Sequence, residues 1–477
     1  MRIVIIGAGV SGLISSLFLA RDGHDVVLLE RDATPLPDSA DAAFDWDRRG
    51  ATQVRHPHAF LGRLRNLLRD DLPDVREDLL AAGAYDVHWS DFMPDTLDDK
   101  TQQPGDEDLG LIASRRTTFE WVLRKAALRT DRVQLRDGVK VTGLTATPGA
   151  RAPLVTGVRT DYGDIDADLV VDAGGRHSAI RTLLGDIGVR FHEERHNTDM
   201  AYLSRFYRLL PDVDLPDRAV FTGGTTGYLG YGIFRGDGRT FSVTIAHGTD
   251  DAELRELLDA GTFDVAASML PAGAPWLADG VAEPIAPMHL MASTINRLRE
   301  LVVDGRPVVL GYQAIGDALT CTNPLYGRGC SLGGVHANML AAAVREHGSD
   351  YEALAMRMHD DATREITPWF RVSVTQDDAA RSARQAGPEA ASGVASILTE
   401  GLLPLTRVDA QVARAFFRMV NLLSPPDALF NDPEIMKKAM EHWLRRNERP
   451  PEPVMGPPRE ELITALKATR AAAVPAR

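Results

Sequence analysis

The stretch RIVIIGAGVSGLISSLFLARDGHDVVLLE, residues 2–30, decides the fold. Residues 2–6 form a short β-branched run of the kind buried in a parallel sheet, where both faces are covered and alternation disappears. Gly7, Gly9 and Gly12 follow, then Leu13 to Arg21 at helical spacing, then a second apolar strand from Asp25 to Leu29 that ends in Glu30. In such a turn the first glycine makes the tight bend and the second lets backbone approach a pyrophosphate. The third lets the helix pack closely on the strand, and the helix N-terminus faces the anion. Alone the spacing is weak. A strand before it, a helix after it and an acid placed for an adenine-ribose hydroxyl make it a βαβ dinucleotide site rather than a glycine turn with an acidic strand end. The pattern leaves NAD and FAD both open.

Working outward, residues 33–59 are rich in Asp, Ala, Pro and Arg without periodicity, and a helix is expected from about Ala59 to Asp70. Thr117 to Ala127 is helical in pattern. Val133 to Val141 and Leu154 to Thr160 read as strands that return toward Leu169, Val170 and Val171. Between about Asn197 and Pro287 the texture changes to hairpins, clearest at Tyr231 to Phe234, a turn at Gly236, Asp237 and Gly238, then Thr240 to Ala246. Val302 to Leu310 reads as a buried strand, with a turn available at Asp304 and Gly305, and Ser331 to Val344 as a helix. From Tyr351 onward the spacing is helical, and Pro450 to Pro458 reads as a late linker. The expected architecture is α/β: a Rossmann-like dinucleotide-binding domain with an inserted β-rich domain and a C-terminal helical region. The first domain is discontinuous, from residues 1–75, 100–190 and 300–350. The β-rich unit takes 76–99 and 191–299, and the helical region 351–477.

A chain of 477 residues exceeds one compact core, and 44% hydrophobic with 25% charged residues excludes a disordered or fibrous chain. Lys plus Arg is 53 against 67 acids, a net of −14, which disfavours nucleic acid and anionic membrane surfaces as partners. No stretch has the roughly 18 to 20 apolar residues of a spanning helix. The opening run, broken by glycines and lacking a cleavage site, reads as structure and not as a signal. Cys321 and Cys330 lack zinc spacing, so no metal site is expected, and as free thiols they suggest a reducing, cytoplasmic setting.

Two further segments bear on the cofactor. A buried strand runs from Ala167 through Asp172 into the small-residue turn Ala173, Gly174 and Gly175, then Arg176, His177, Ser178 and on to Arg181. Gly316 and Asp317 precede a turn of Pro324, Leu325, Tyr326, Gly327, Arg328 and Gly329 that opens a helix, where an acid can accept ribityl hydroxyls and free N–H groups can face a ring edge. With Gly7 to Gly12 and Glu30, these segments resemble, in order, the flavoprotein monooxygenase superfamily with the para-hydroxybenzoate hydroxylase-like fold, specifically its epoxidase and halogenase-like branch. Two more pieces match the Arg-bearing segments of that branch: Trp46, Arg48, Gly50, Gln53, His56 and His58, then Ser114 through Glu120. The resemblance spans roughly residues 1–345.

It implies non-covalent FAD, with a glutathione reductase-type βαβ unit holding it. By position Gly7, Gly9 and Gly12 would hold the pyrophosphate, and Glu30, with the neighbouring Arg31, the adenosine end. Arg116 would be the FAD-contacting arginine, Arg48 could meet FAD phosphates or a nicotinamide phosphate, Asp317 would meet the ribityl or pyrophosphate region, and Gly175, Pro324, Gly327 and Gly329 would lie against the cofactor. The sequence departs from the family where Asp-Gly is usual: Gly174 precedes Gly175, and the nearest acid is Asp172, which puts nicotinamide binding by that Asp in doubt.

The reaction implied is reduction of FAD by NAD(P)H, or supply of reduced flavin by a partner reductase, then O2 addition to a C4a-hydroperoxide. Its distal oxygen would pass by epoxidation or hydroxylation to a bulky, mostly apolar organic substrate of specialised, natural-product metabolism. Candidates for the cavity wall are Tyr202, Phe206, Tyr228, Tyr231, Phe234, Met288 and Met291, against a reading as ordinary core. Arg48 and His58 are the protein's candidates for a catalytic part, and His56 shares their loop; the alternative is solvated or capping side chains. Cys330 reads as a helix-packing residue, Gly223, Gly224 and Gly227 as turn geometry, and Asp91 to Asp108 as a solvated loop. Other readings are a flavin-dependent reductase of isoprenoid-type double bonds, a non-catalytic flavoprotein, and a flavin-dependent halogenase. The last would require a Trp-x-Trp pair that the six tryptophans do not form and an early active-site lysine, whereas the first lysine is Lys100.

Overall fold

The computed structural model describes residues 1–216, 221–386, 396–449 and 455–473. A five-stranded parallel sheet lies at its centre, in the order Tyr312–Ala314, Leu169–Asp172, Arg2–Ile6 (β1), Asp25–Glu30 (β2), Val133–Asp137. β1 sits in the middle with Ile3, Val4 and Ile5 fully buried, which is why its sequence shows no alternation. Helix Val10–Arg21 (α1) crosses from β1 to β2. Its N-terminus is packed with small residues: a Cβ at Gly12 would stand 2.0 Å from the Gly7 carbonyl oxygen, and one at Gly333 would stand 2.3 Å from Ser11 Oγ. The second glycine belongs to helix Gly329–His347, which lies along α1. This is the Rossmann-like unit with its βαβ opening, as the sequence predicts.

The β-rich unit is a six-stranded antiparallel sheet built on the long strand Met200–Leu209, which pairs with Thr240–Gly248 on one side and with Ala282–Pro284 and His289–Met291 on the other. Leu229–Arg235 and Phe221–Thr225 extend it. The period of two sorts its side chains. Leu203, Tyr207, Ile245, Val243, Tyr231 and Ile233 pack outward, together with Leu254, Phe263 and Trp276 from the short helices that follow. Tyr202, Ser204 and Phe206 point the other way, toward the Rossmann-like unit. There Phe206 meets Phe44 edge-on at 5.5 Å between centroids and Ser204 Oγ lies 2.9 Å from His56 Nδ1.

The hairpin over Tyr231 to Ala246 forms as expected, and its tip is a joint between units. The Asp237 carboxylate accepts from Arg115 N at 2.6 Å, Arg115 Nε at 3.0 Å, Arg115 Nη2 at 2.6 Å and Thr118 Oγ1 at 2.8 Å. All of these groups are buried, so the pair fixes geometry more than it adds stability.

The expectation of a buried strand over Val302 to Leu310 is corrected. Val302–Val303 and Arg306–Pro307 form a small hairpin, because Asp304 (φ 51) and Gly305 (φ 70) adopt the left-handed pair of a tight turn, and the parallel strand begins only at Tyr312. Within residues 76–99, the strand Tyr85–His88 pairs with Gly110–Ala113 in a sheet of its own. The C-terminal region is helical. Helix Tyr351–Glu365 packs on Gly329–His347, and helix Thr367–Ala386 runs beside the turn that precedes it. Residues 450–454, most of the expected linker, lie outside the described residues. Helix Arg459–Ala473 then docks Leu462, Ile463 and Leu466 into the outer core of the β-rich sheet. No helix among the described residues is long and apolar enough to cross a membrane, and no His, Cys, Asp and Glu cluster among them could hold a metal ion.

Candidate active site

A cavity of about 290 Å3 opens at the C-terminal ends of the parallel strands, lined there by Ile6, Glu30 and Asp172. Two helix N-termini without side-chain caps meet it, those of α1 and of helix Gly329–His347, so unpaired N–H groups and the positive ends of two dipoles converge on one space. Of the positions proposed from sequence, Gly7, Gly9, Glu30, Arg31, Arg48, His58, Arg116, Gly175, Asp317, Pro324, Gly327 and Gly329 all line it. Gly12 does not. It serves the helix packing described above.

The glycines divide as the spacing predicts. Gly7 has φ 99, and a Cβ there would strike the Ala173 carbonyl oxygen at 2.7 Å; a Cβ at Gly9 would meet nothing within 4 Å and would fill open cavity. Glu30, at the end of β2, accepts from Ala8 N at 3.2 Å, Arg48 Nη2 at 3.3 Å and Asp32 N at 3.1 Å. Arg48 also donates from Nε to Glu120 at 3.2 Å and from Nη2 to the Ala8 carbonyl at 3.2 Å, while its buried Nη1 has no partner. A buried guanidinium N–H without an acceptor, beside an uncapped helix and a glycine that leaves space, is a donor set for a phosphate oxygen. These residues fit a dinucleotide.

Arg116 sits one residue beyond the Arg115 that holds Asp237. Its Nε donates to Glu120 at 2.7 Å and its Nη1 to His58 Nε2 at 3.0 Å and Cys330 Sγ at 3.2 Å. Burial raises the Cys330 thiol to about 11 in spite of Arg116, and raises Cys321 to about 12, so both cysteines are protonated packing residues. Because a guanidinium can only donate, His58 Nε2 is the unprotonated nitrogen, and Nδ1–H donates to the His56 carbonyl at 3.0 Å. Burial and Arg116 hold this imidazole neutral, with its pKa well below the usual histidine range, and neither nitrogen is left over.

His56 is different. Its Nδ1 lies 2.9 Å from Ser204 Oγ, which lies 2.7 Å from Thr244 Oγ1. The ring lines the cavity, and Nε2 has no hydrogen-bond partner among the described residues. Burial, helped by His289 and Arg176, lowers its pKa to about 4, so it is neutral at physiological pH.

The departure at Gly174 has a physical account. Asp172 accepts from Gly174 N at 2.8 Å, from Tyr312 Oη at 2.8 Å and from Ser178 Oγ, and so ties the turn to its strand. A Cβ at Gly174 would stand 2.9 Å from Asp172 Oδ1, so an Asp there would face a second carboxylate. Gly175 (φ 68) has open space beside it.

Asp317 opens on the cavity although burial raises its pKa, against the pull of Arg116, Arg176 and Arg297. The turn that follows is held from behind by residues that sequence reading missed. Asn323 caps Pro324–Tyr326 by accepting from Leu325 N at 3.0 Å. Asp377, buried on helix Thr367–Ala386, accepts from Asn296 Nδ2 at 2.6 Å, Asn323 Nδ2 at 2.7 Å and Tyr326 Oη at 2.9 Å. Arg328 reaches Ser373 Oγ at 2.9 Å and stacks over Trp369 at 4.9 Å. Trp369, Ser373 and Asp377 recur every four residues, one inward face of a helix, and that spacing with its two polar members is the one signal that could have marked them.

Of the proposed cavity-wall residues, only Met291 lines this cavity. Tyr202 and Phe206 are on the correct face of the sheet but are engaged with Asn323 and Phe44. Tyr231 lies in the outer core, with Tyr228 and Met288 packed against it. Phe234 is half-buried on the hairpin strand. Gly223 and Gly224 pair in a strand and Gly227 (φ 89) makes its turn.

Residues 1–45 match the family model described as FAD binding domain. Protein FixC of Escherichia coli K12 is 25% identical over 323 residues, which cover 63% of this chain and 67% of FixC. Among solved structures, PqsL of Pseudomonas aeruginosa, described as a probable FAD-dependent monooxygenase, superposes with a TM-score of 0.55 at 18% identity over 81% of this chain and 97% of PqsL. The flavin-dependent brominase Bmp2 superposes with a TM-score of 0.55 at 17% identity over 94% of this chain and 100% of its own. The latter match takes in most of the C-terminal helices. The chain thus opens with an FAD-binding segment and shares the fold of these flavin-dependent proteins.

Proposed function

We propose that this protein is a cytoplasmic FAD-dependent monooxygenase that hydroxylates or epoxidises a bulky organic molecule of specialised metabolism. The observation that carries the reading is the convergence of three sequence-distant segments, Gly7 to Glu30, Asp172 to Ser178 and Asp317 to Cys330, on one cavity with two bare helix N-termini and an unpaired buried Arg48 N–H. FAD, when bound and reduced by NAD(P)H or replaced as reduced flavin from a partner reductase, supplies activated oxygen from O2. The chain's residues do the rest. Gly9, Arg48 and the start of α1 hold the pyrophosphate; Glu30 and Arg31 the adenosine; Arg116, Asp317 and the Pro324–Gly329 turn the ribityl chain and ring. In this reading 1–75, 100–190 and 300–350 form the cofactor-binding unit, the β-rich sheet covers the reacting end and excludes water, and residues 351–477 brace both.

The fold is shared with a brominase, and the chain lacks the Trp-x-Trp pair and early lysine expected of a halogenase, which favours oxygen transfer to carbon. The second reading, reduction of an isoprenoid-type double bond, uses the same cofactor cradle and is separated by product formation without O2 uptake.

The test starts with colour. Purified protein should be yellow and release FAD on denaturation, and a colourless protein that cannot be reconstituted refutes the reading. Replacing Glu30 with Ala removes a ribose acceptor and exposes Arg48, and should weaken FAD about tenfold or more. Unchanged occupancy would place the adenosine site elsewhere. O2 uptake with NADH and NADPH against phenols and polyenes then separates oxygenase from reductase.

A further inference from the structure

Beside the cavity lies a three-stranded antiparallel sheet of His192–Asn197, Ile295–Glu300 and Thr320–Cys321. Arg297 and Arg299 stand two residues apart on its middle strand, so both side chains leave the same face. Arg299 is neutralised: its Nε donates to Glu193, its cross-strand partner, at 2.7 Å, and its Nη1 donates to the Ala318 carbonyl at 2.6 Å. Arg297 is not. Its Nη2 donates to the Arg176 carbonyl at 2.9 Å and to the Asp317 carbonyl at 3.0 Å, and among the described residues no carboxylate binds it. The residue is 5% exposed, and its buried Nε has no hydrogen-bond partner. A stranded buried donor and a buried charge without a contacting carboxylate both oppose folding, so stability does not account for an arginine at this place.

Its two carbonyl partners belong to separate turns, Gly175–His177 and Gly316–Ala318, and Arg176 and Asp317 both line the cavity. One nitrogen therefore fixes the spacing between the turn after the Leu169–Asp172 strand and the turn that carries the acid assigned above to the ribityl chain. We propose that Arg297 is a positioning residue for the cofactor: its guanidinium joins these two turns through their carbonyls and holds at the joint a positive charge for an anionic ligand of the cavity. That charge reaches the cavity. Arg297 acts on Asp317, Cys321 and His177, which line it, and its other charged neighbours are Arg299 on its own strand and Glu193 on the next. A pyrophosphate entering the cavity is opposed by the Asp317 carboxylate, and Arg297, with Arg176, offsets that carboxylate from behind. This role rests on the flavin reading of the cavity and adds to it a residue outside every glycine motif.

The test titrates the deflavinated full-length chain with FAD, read by quenching of flavin fluorescence, for the parent, Arg297→Met and Arg297→Lys. Met keeps the stem but cannot donate, so FAD should bind about tenfold more weakly or worse at every pH. Lys restores a charged donor and should recover most of that loss at neutral pH. Burial and Arg299 lower the pKa of a cation at this position, and a lysine starts from about 10.4 where an arginine starts above 12. The affinity of Arg297→Lys should therefore fall toward that of Arg297→Met as the pH rises to about 9, while the parent keeps its advantage over Met throughout. A side chain that only fills space would give Met and Lys the same affinity and parallel pH curves. Affinity of Arg297→Met within about twofold of the parent, Lys no better than Met, or a Lys curve parallel to the parent's overturns the assignment. If Arg297→Met does not fold, the pH curve of Arg297→Lys against the parent carries the test. Failure of the flavin reading is separate, because the parent itself would then take up no FAD at any pH.

Discussion

Asp377 lies far along the chain from every glycine motif, yet the structure makes it the anchor of the Pro324–Gly329 turn at the cavity. Asp377→Asn keeps the shape and one carbonyl oxygen but replaces the other acceptor with an NH2 group. That group must then face Asn296 Nδ2 on one side or Asn323 Nδ2 and Tyr326 Oη on the other, since each carboxylate oxygen now serves one side. At least one hydrogen bond to a carboxylate is lost and a buried donor is stranded, at a cost of about 1.5–3 kcal/mol. If the Pro324–Gly329 turn must hold this shape to receive the cofactor, that cost falls on binding. At 1.4 kcal/mol per tenfold, FAD affinity should drop roughly 10- to 100-fold. Titration of deflavinated protein with FAD, followed by quenching of flavin fluorescence, measures it directly. A far-UV spectrum confirms that the C-terminal helices persist. A dissociation constant within about twofold of the parent would refute the claim that this helix sets the turn.

Other outcomes follow from the same geometry. Glu193 would be raised by burial, but Arg181 and Arg299 bind it at 2.7 Å each and hold it at about 2. Since the folded pKa lies below the ordinary value near 4.5, the stabilisation is present above that pH and lost as pH falls toward 2. By linkage the Glu193→Gln variant should be less stable than the parent at neutral pH, with the difference closing in acid; parallel urea curves at all pH values would count against it. Gly174→Asp restores the family's usual residue but sets it against Asp172. It should therefore lower thermal stability and FAD retention, and an unperturbed variant would show that the turn has room. Cys321 and Cys330, with thiols raised to about 12 and 11, should resist iodoacetamide at pH 8 in the folded protein and react once unfolded; rapid labelling of native protein would contradict their burial.

The parts of this molecule that sequence exposes are those whose physics is local. β1, the glycines, α1 and Glu30 occupy consecutive residues, and each glycine's task is set by neighbours within a turn or a strand, so spacing alone predicts them. The β-rich unit was legible as hairpins but not in register. Whether Tyr202 or Tyr231 faces the Rossmann-like unit depends on which residue opposes which, and a shift by one exchanges the faces. The misplaced strand over Val302 to Leu310 has the same origin, because an apolar run does not say whether Asp304 and Gly305 are crossed or turned upon. The anchors were beyond reach. Asp377 to Asn323 and Asp237 to Arg115 join residues 54 and 122 positions apart, and although the helical spacing of Trp369, Ser373 and Asp377 marks an inward face, nothing in the sequence names the partner.

The adjacency of Arg115 and Arg116 has a consequence for how this protein could acquire new substrates. One arginine holds the hairpin tip of the β-rich sheet through Asp237 and the other lines the cavity, and their Cα atoms are necessarily about 3.8 Å apart. The hairpin tip and the cavity lining are thus coupled through a single peptide unit, whatever changes on the sheet's outer face or in its connecting loops. A change in the ligand that the cavity admits is then reached most simply by exchanging single side chains that line it, with the hairpin's anchor left in place.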